Sequence, residues 1–311
     1  MSRIVIALGG NALGSSAQEQ LMLVRQASKP IADLIEQGHE LVLAHGNGPQ
    51  VGMINLAFES RAAEESDISN MPFPECGAMS QGYIGFHLQN AIREELVERS
   101  IEKPVATVVT QVLVDKNDPA FKNPTKPIGA FYTEAEAREM EIKKGYKMEE
   151  DSGRGWRRVV PSPMPVDVIE KDTIRTLLDS GNIVITVGGG GIPVVSEGNV
   201  LKGVPAVIDK DYASCKVAEL IDADYLFILT AVDRVAVNFG KPNQKNLEQM
   251  STSTAYKYIA ENQFAPGSML PKVEAAIRFA ESKKGRKAVI ASLEKAKEAL
   301  VGKSGTIIYS E

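Results

Sequence analysis

Apolar residues gather along this chain in short unbroken runs, at 4–8, 40–44, 105–110, 183–187, 225–229, 288–290 and 306–309. Runs of this length, rich in Val, Ile and Leu and without polar alternation, predict strands buried on both faces, as in a parallel sheet. Between them the apolar positions recur every three or four residues. QLMLVRQASKPIADLIEQG, QNAIREELVERS, KDTIRTLLDSG, SCKVAELIDA, KVEAAIRFAESKKG and SLEKAKEALVG all read this way, which predicts helices. Pro30 marks a site for a kink in the first, and Gly38 marks its end. Strand–helix alternation predicts an α/β protein with helices on both faces of a mostly parallel sheet. No internal repeat of 20–50 residues breaks the pattern.

Three of the strand runs stop at glycine: Gly9 and Gly10, then Gly46, Asn47 and Gly48, then the four consecutive glycines 188–191. Ligands of a parallel sheet sit beyond the carboxyl ends of its strands. Glycine there lets a ligand reach backbone N–H groups, and a following helix N-terminus favours an anion. The three turns therefore predict a cradle for phosphate or carboxylate. The plainer reading, tight turns and close packing, applies to each turn singly.

Residues 118–165 interrupt the rhythm. The segment is rich in proline, holds Trp156, the only tryptophan, and gathers Lys126, Arg154, Arg157 and Arg158. Its length predicts a lid or binding loop; a surface excursion covering a core face is the alternative. No other domain boundary stands out, so residues 1–311 read as one domain with 118–165 inserted in it.

Composition narrows the picture. The chain has 311 residues, 43% hydrophobic and 24% charged, with net charge −5, values that fit a globular protein and do not favour a nucleic-acid surface. Cys76 and Cys215 are too far apart for a metal-type pair, and point to a reducing cytoplasm. The opening MSRIVIALGG reads as no signal peptide, and no apolar run reaches the length of a membrane span. Two nucleotide fingerprints nearly match and fail. GNGPQVG is one residue too long for the dinucleotide motif, and GKS at 302–304 lacks its upstream glycine because residue 297 is Lys.

Six motifs occur in order: ALGGNAL, HGNGPQVG, NPTKPIG, VPAVIDKD, LTAVD and GSMLPKVEAA. Together they resemble carbamate kinase, within the amino acid kinase superfamily, over essentially the whole chain. The resemblance implies a three-layer αβα sandwich around an eight-stranded, mostly parallel sheet with a small protruding lid subdomain. It implies reversible, Mg2+-dependent phosphoryl transfer, ATP and carbamate interconverting with ADP and carbamoyl phosphate. The direction it implies is ATP synthesis in arginine deiminase fermentation or related catabolism, by a cytoplasmic homodimer. Another acyl-phosphate-forming kinase of glutamate or acetylglutamate type is the nearest alternative, and a non-catalytic sensor of the same fold the next.

Phosphoryl transfer needs alignment and charge stabilisation rather than a covalent nucleophile, and no Ser–His or Cys–His pair is evident. By the resemblance, Lys210 and Lys272 contact the nucleotide phosphates and transition state, Lys126 reaches in from the lid, and Asp211 orients lysines. Backbone amides at Gly9, Gly10, Gly46 and Gly48 suit the transferred group, with Asn11 and Asn47 as side-chain donors or turn residues. Gly189 and Gly190 either continue this floor or clear space for substrate. Arg154 either binds substrate or pairs with the acidic run 149–151. Asp209 assists the nucleotide side through magnesium or hydrogen bonds, or caps the helix that follows. Ala231, Asp233, Ser268, Met269 and Pro271 resemble the adenine and ribose side. No protein metal ligand is expected, magnesium being carried mainly on the nucleotide phosphates. His45 reads as a turn or core histidine, with a substrate contact as the alternative.

Overall fold

The computed structural model describes residues 2–9, 13–14, 16–64, 70–151 and 153–311. Its centre is an eight-stranded sheet in the order Gln249–Ser251, Thr306–Tyr309, Lys287–Ser292, Tyr225–Thr230, Arg3–Leu8, Glu40–His45, Ile183–Ile185, Val105–Thr107. Neighbours run parallel except Lys287–Ser292 and Thr306–Tyr309. Alternation along each buried strand divides the core between two layers. Val5, Ala7, Val42, Ala44, Leu226 and Ile228 face one cluster, which includes residues of helices Lys210–Leu220 and Met269–Ser282. Ile4, Ile6, Leu8, Leu41, Leu43 and Phe227 face the other, with residues of Ala17–Glu36 and Phe73–Glu98. The helix Ala17–Glu36 runs through Pro30 as one element.

Every run read as a strand contributes to this sheet, with two trimmed. The 105–110 run supplies only Val105–Thr107, and the chain then enters a second sheet, Val200–Gly203, Ile192–Glu197, Gln111–Val114, Pro165–Val168. The 183–187 run ends at Ile185, because Val187 already takes a left-handed conformation leading into the glycines.

The 118–165 segment builds a three-stranded antiparallel sheet, Lys126–Tyr132, Trp156–Val160, Lys147–Glu150. One helix, Glu134–Lys144, closes it. Thr133 and Glu136 form a capping box at its start, and Gly145, left-handed, ends it, a locally specified stop and start. This small sheet sits on helix Gly48–Glu64. Arg158 donates to Asn55 and pairs with Glu59, and Tyr146 donates to Glu59.

Candidate active site

The register of the parallel strands decides where the glycine turns lie. Leu8 pairs with His45, and Ala7 with Ile228, so Gly9, Gly46 and residue 230 leave the same edge of the sheet side by side. Gly9 is tight against its neighbour: a Cβ there would lie 2.8 Å from the Leu229 carbonyl oxygen. Gly10 and Asn11 lie outside the described residues. Gly46 runs beside Lys210, whose Cδ would be 3.5 Å from a Cβ at Gly46. Gly48 begins helix Gly48–Glu64, so the turn presents a helix N-terminus to the site.

The four-glycine run does something different. Gly188 to Gly191 are all buried. A Cβ on Gly189 would lie 2.1 Å from Asn47 Nδ2, and one on Gly190 2.1 Å from the Ile208 carbonyl oxygen. Both also hold positive φ, +67° and +93°, which side chains rarely adopt. Gly189 and Gly190 thus form a packing junction under the Asn47 turn, where the sequence left open a continued substrate floor or cleared space for substrate. Asn47 is likewise turned inward: its Nδ2 donates to Ser80 Oγ at 2.9 Å. His45 is buried, with Nδ1 2.8 Å from the Gly46 carbonyl oxygen. Burial lowers its pKa to about 4, against the smaller upward pull of that hydrogen bond.

Two carboxylates organise three lysines. Asp211 Oδ1 lies 2.5 Å from Lys210 Nζ, and its Oδ2 lies 3.0 Å from Lys272 Nζ. One buried carboxylate therefore joins helices Lys210–Leu220 and Met269–Ser282 at their first turns. Burial is the largest influence on Lys210 and pushes its ammonium down; Lys272 pushes the same way, while Asp211 and Asp209 pull back. Asp209 caps helix Lys210–Leu220, accepting from the Asp211 amide. Its Oδ2 is 2.5 Å from Lys126 Nζ, which arrives from the lid. Burial would raise the Asp209 carboxyl. The charges of Lys126 and Lys210, with hydrogen bonds from Lys126 and the Asp211 amide, reverse that and hold it well below the usual carboxylate range.

Beside this cluster opens a cleft of about 1100 Å³, walled in part by Gly9, Lys210, Ala231, Ser268, Met269 and Lys272. Ser268 stands at the N-terminus of helix Met269–Ser282 with no side-chain cap; in the first turn the Leu270 amide donates to the Ala265 carbonyl oxygen and Pro271 has no N–H. Arg154 also lines the cleft. Its side chain is 61% exposed and 2.9 Å from Asp151 Oδ1, so the pairing anticipated with the acidic run exists. Asp209 and Pro271 are not on the cleft wall. Neither is Asp233, which is half exposed and paired with Lys295, a bond that lowers its pKa. All three were expected on the nucleotide side; Asp209 and Pro271 adjoin the wall residues Lys210 and Lys272. Sequence reasoning missed Arg234, Phe239 and Gln263, which line the cleft but sit in stretches with no motif to mark them.

The profile of the amino acid kinase family matches residues 2–292. Carbamate kinase of Clostridium perfringens is 60% identical over 311 residues, covering 98% of this chain and 99% of that one.

The chain belongs to the carbamate kinases of the amino acid kinase family.

Carbamate kinase-like protein YqeA of Escherichia coli is 61% identical over 306 residues and 98% of each chain. Among solved structures, Giardia lamblia carbamate kinase bound to AMP-PNP superposes with a TM-score of 0.90, at 43% identity, over 100% of this chain and 99% of that one. With family membership established, the eight-stranded sheet is the amino acid kinase sheet, and the cleft beside Lys210 and Lys272 is the place to look for its nucleotide.

Proposed function

We propose that this protein transfers a phosphoryl group reversibly between carbamoyl phosphate and ADP, yielding carbamate and ATP. The observation that carries the reading is the Asp211 bridge, which fixes two ammonium groups from two helices at one end of the large cleft. Loose phosphoryl-transfer transition states spread charge over three equatorial oxygens, and positioned cations stabilise it. In this reading Lys210 and Lys272 hold the transferred phosphoryl group and the nucleotide phosphates. Asp211 keeps both lysines in place, and Lys126 completes the charge from the lid. Amides at Gly9, Gly46 and Gly48 hold the acceptor side, with Asn47 and Asp209 bracing that machinery. Ala231, Ser268 and Met269 face the nucleoside. AMP-PNP in the Giardia relative supports a nucleotide for this cleft.

Magnesium enters this scheme on the nucleotide. Among the described residues no group of three or more His, Cys, Asp or Glu is gathered for a metal, and Asp209 and Asp211 are committed to lysines, so phosphate oxygens are its natural ligands. Carbamoyl phosphate is a mixed anhydride, which favours ATP synthesis as the working direction, in arginine breakdown or a related route. No described helix is long and apolar enough to cross a membrane. Two free, buried thiols, Cys76 and Cys215, suit a reducing cytoplasm. The exposed pair Met79 and Phe86 on helix Phe73–Glu98 supplies an apolar stripe for a homodimer.

The test is a coupled assay of ATP formation from ADP, carbamoyl phosphate and Mg2+, run beside ATP with glutamate or acetylglutamate. ATP from carbamoyl phosphate is the expected result. A folded, magnesium-supplied sample that makes none, or that phosphorylates an amino acid instead, overturns the reading.

A further inference from the structure

Arg157 stands at an electrostatically awkward place. It lies on the lid strand Trp156–Val160, and its side chain is only 12% exposed. Its Nη2 would be 3.9 Å from a Cβ at Gly48, so the guanidinium is set against the residue that opens helix Gly48–Glu64. That helix has no acidic residue in its first turn. The N-terminus of a helix carries partial positive charge, and a cation there is destabilising. Asp151 gives the guanidinium a counter-charge but shares it with Arg154, so an anion bound at the turn would gain from both positive ends.

The guanidinium is also held ready. Nη2 donates to the Gly129 carbonyl oxygen at 3.0 Å, Nη1 lies 3.2 Å from Asp151 Oδ2, and the group stacks 5.0 Å from the centroid of the Phe131 ring. Its Nε is buried and makes no hydrogen bond. The Gly46–Gly48 turn therefore lies between Lys210, beside Gly46, and Arg157, beside Gly48. Arg154, three residues earlier, faces the nucleotide cleft instead.

We propose that Arg157 is the lid residue that binds the acceptor, the planar carboxylate of carbamate or the carbamoyl end of carbamoyl phosphate, at the Gly46–Gly48 turn. This rests on the carbamate kinase reading above. A planar fork of N–H donors matches a planar carboxylate in a way that a lysine point charge does not. The division of labour follows: lysines stabilise the moving phosphoryl group, and Arg157 sets affinity for the small acceptor.

Steady-state kinetics on Arg157→Ala, Arg157→Lys and Arg154→Ala test this, each variant checked by thermal melting. Loss of a charge-assisted hydrogen bond predicts a rise in KM for carbamoyl phosphate of roughly 10- to 100-fold in Arg157→Ala, and a smaller rise in Arg157→Lys. KM for ADP and kcat stay within about twofold, the pattern of lost uniform binding. Arg154→Ala, on the nucleotide cleft, raises KM for ADP more than KM for carbamoyl phosphate. A folded Arg157 variant with wild-type KM for carbamoyl phosphate, or with an equal rise in KM for ADP, overturns the proposal; if Arg157→Ala does not fold, Arg157→Lys decides. The Gly48 amide chemical shift during sulfate titration separates this from the reaction itself. If the wild type forms no ATP, the carbamate kinase reading falls. A sulfate-induced shift at Gly48 that needs more sulfate in Arg157→Lys still supports the anion role, and a shift at wild-type sulfate affinity overturns it.

Discussion

Gly52 and Gly129 meet backbone to backbone: a Cβ on Gly52 would lie 2.2 Å from the Gly129 Cα. Gly52 belongs to helix Gly48–Glu64 and Gly129 to the lid strand Lys126–Tyr132. Gly52 cannot take a methyl group without moving the lid, whereas Gly129 has room for one but holds a φ of +71° that side chains rarely adopt. Gly52→Ala is therefore expected to lift the lid and withdraw Lys126 from Asp209. Overpacking of this kind costs about 1–3 kcal/mol. Turnover of carbamoyl phosphate should fall at least tenfold while calorimetric ADP affinity stays near wild type; unchanged turnover would show that the lid seat is not needed for chemistry.

Lys126 itself offers a sharper version. Its ammonium reaches Asp209, and neither residue lines the cleft. Lys126→Ala should impair carbamoyl phosphate kinetics far more than ADP binding. Weakened ADP binding with carbamoyl phosphate kinetics spared would move this lysine to the nucleotide side.

Asp211 couples two cations. Lys210→Ala or Lys272→Ala should lower kcat by roughly 10²–10³, the scale for losing one electrostatic group that acts in the transition state. Asp211→Asn should do more than slow the enzyme. Burial and Lys272 already depress the Lys210 pKa, and Asp211 opposes them. Removing that carboxylate depresses it further, so Lys210 loses its proton at lower pH. The alkaline limb of the kcat/KM profile should shift to lower pH in Asp211→Asn; an unmoved limb would separate Lys210 from the titration that limits the rate.

His45 predicts an acid sensitivity of the fold. Its pKa falls from 6.5 to about 4 on burial, so the unfolded chain binds more protons between those values. The penalty is absent above about pH 6.5 and grows as pH falls toward 4, reaching on the order of 3 kcal/mol. Urea denaturation at several pH values checks this: His45→Asn should be less stable overall but flatter across that window. A variant with the wild-type slope would assign the acid sensitivity elsewhere.

Much of the fold was legible because its strands are buried on both faces. Runs such as VIAL and LFILT have no polar partner to disguise them. Gln249–Ser251, the eighth strand, was not legible: three residues with one polar and exposed carry no periodic signal. The second sheet was hidden for a similar reason, since Val200–Gly203 is exposed along its length. In the site, the lysines were legible through the motifs around them, and the glycine turns through their position after strands. What lay beyond reach was direction. GGGG and GNG look alike in sequence, yet one packs against Asn47 and Ile208 while the other opens a helix. Arg154 and Arg157 differ only in which way a lid strand and its preceding turn point them.

The lid seat on helix Gly48–Glu64 has a mechanical consequence. Its anchors, Gly52, Asn55 and Glu59, recur at spacings of three and four, a single stripe along one stiff rod. Glu59 lies about 16 Å along that rod from Gly48, and it holds Lys144, Tyr146 and Arg158 of the lid at once. The rod works as a lever whose short end is the anion turn and whose long end is a three-pronged latch. A chemical change at the latch, far from any reacting atom, would alter how the small sheet seats over the turn at Gly48.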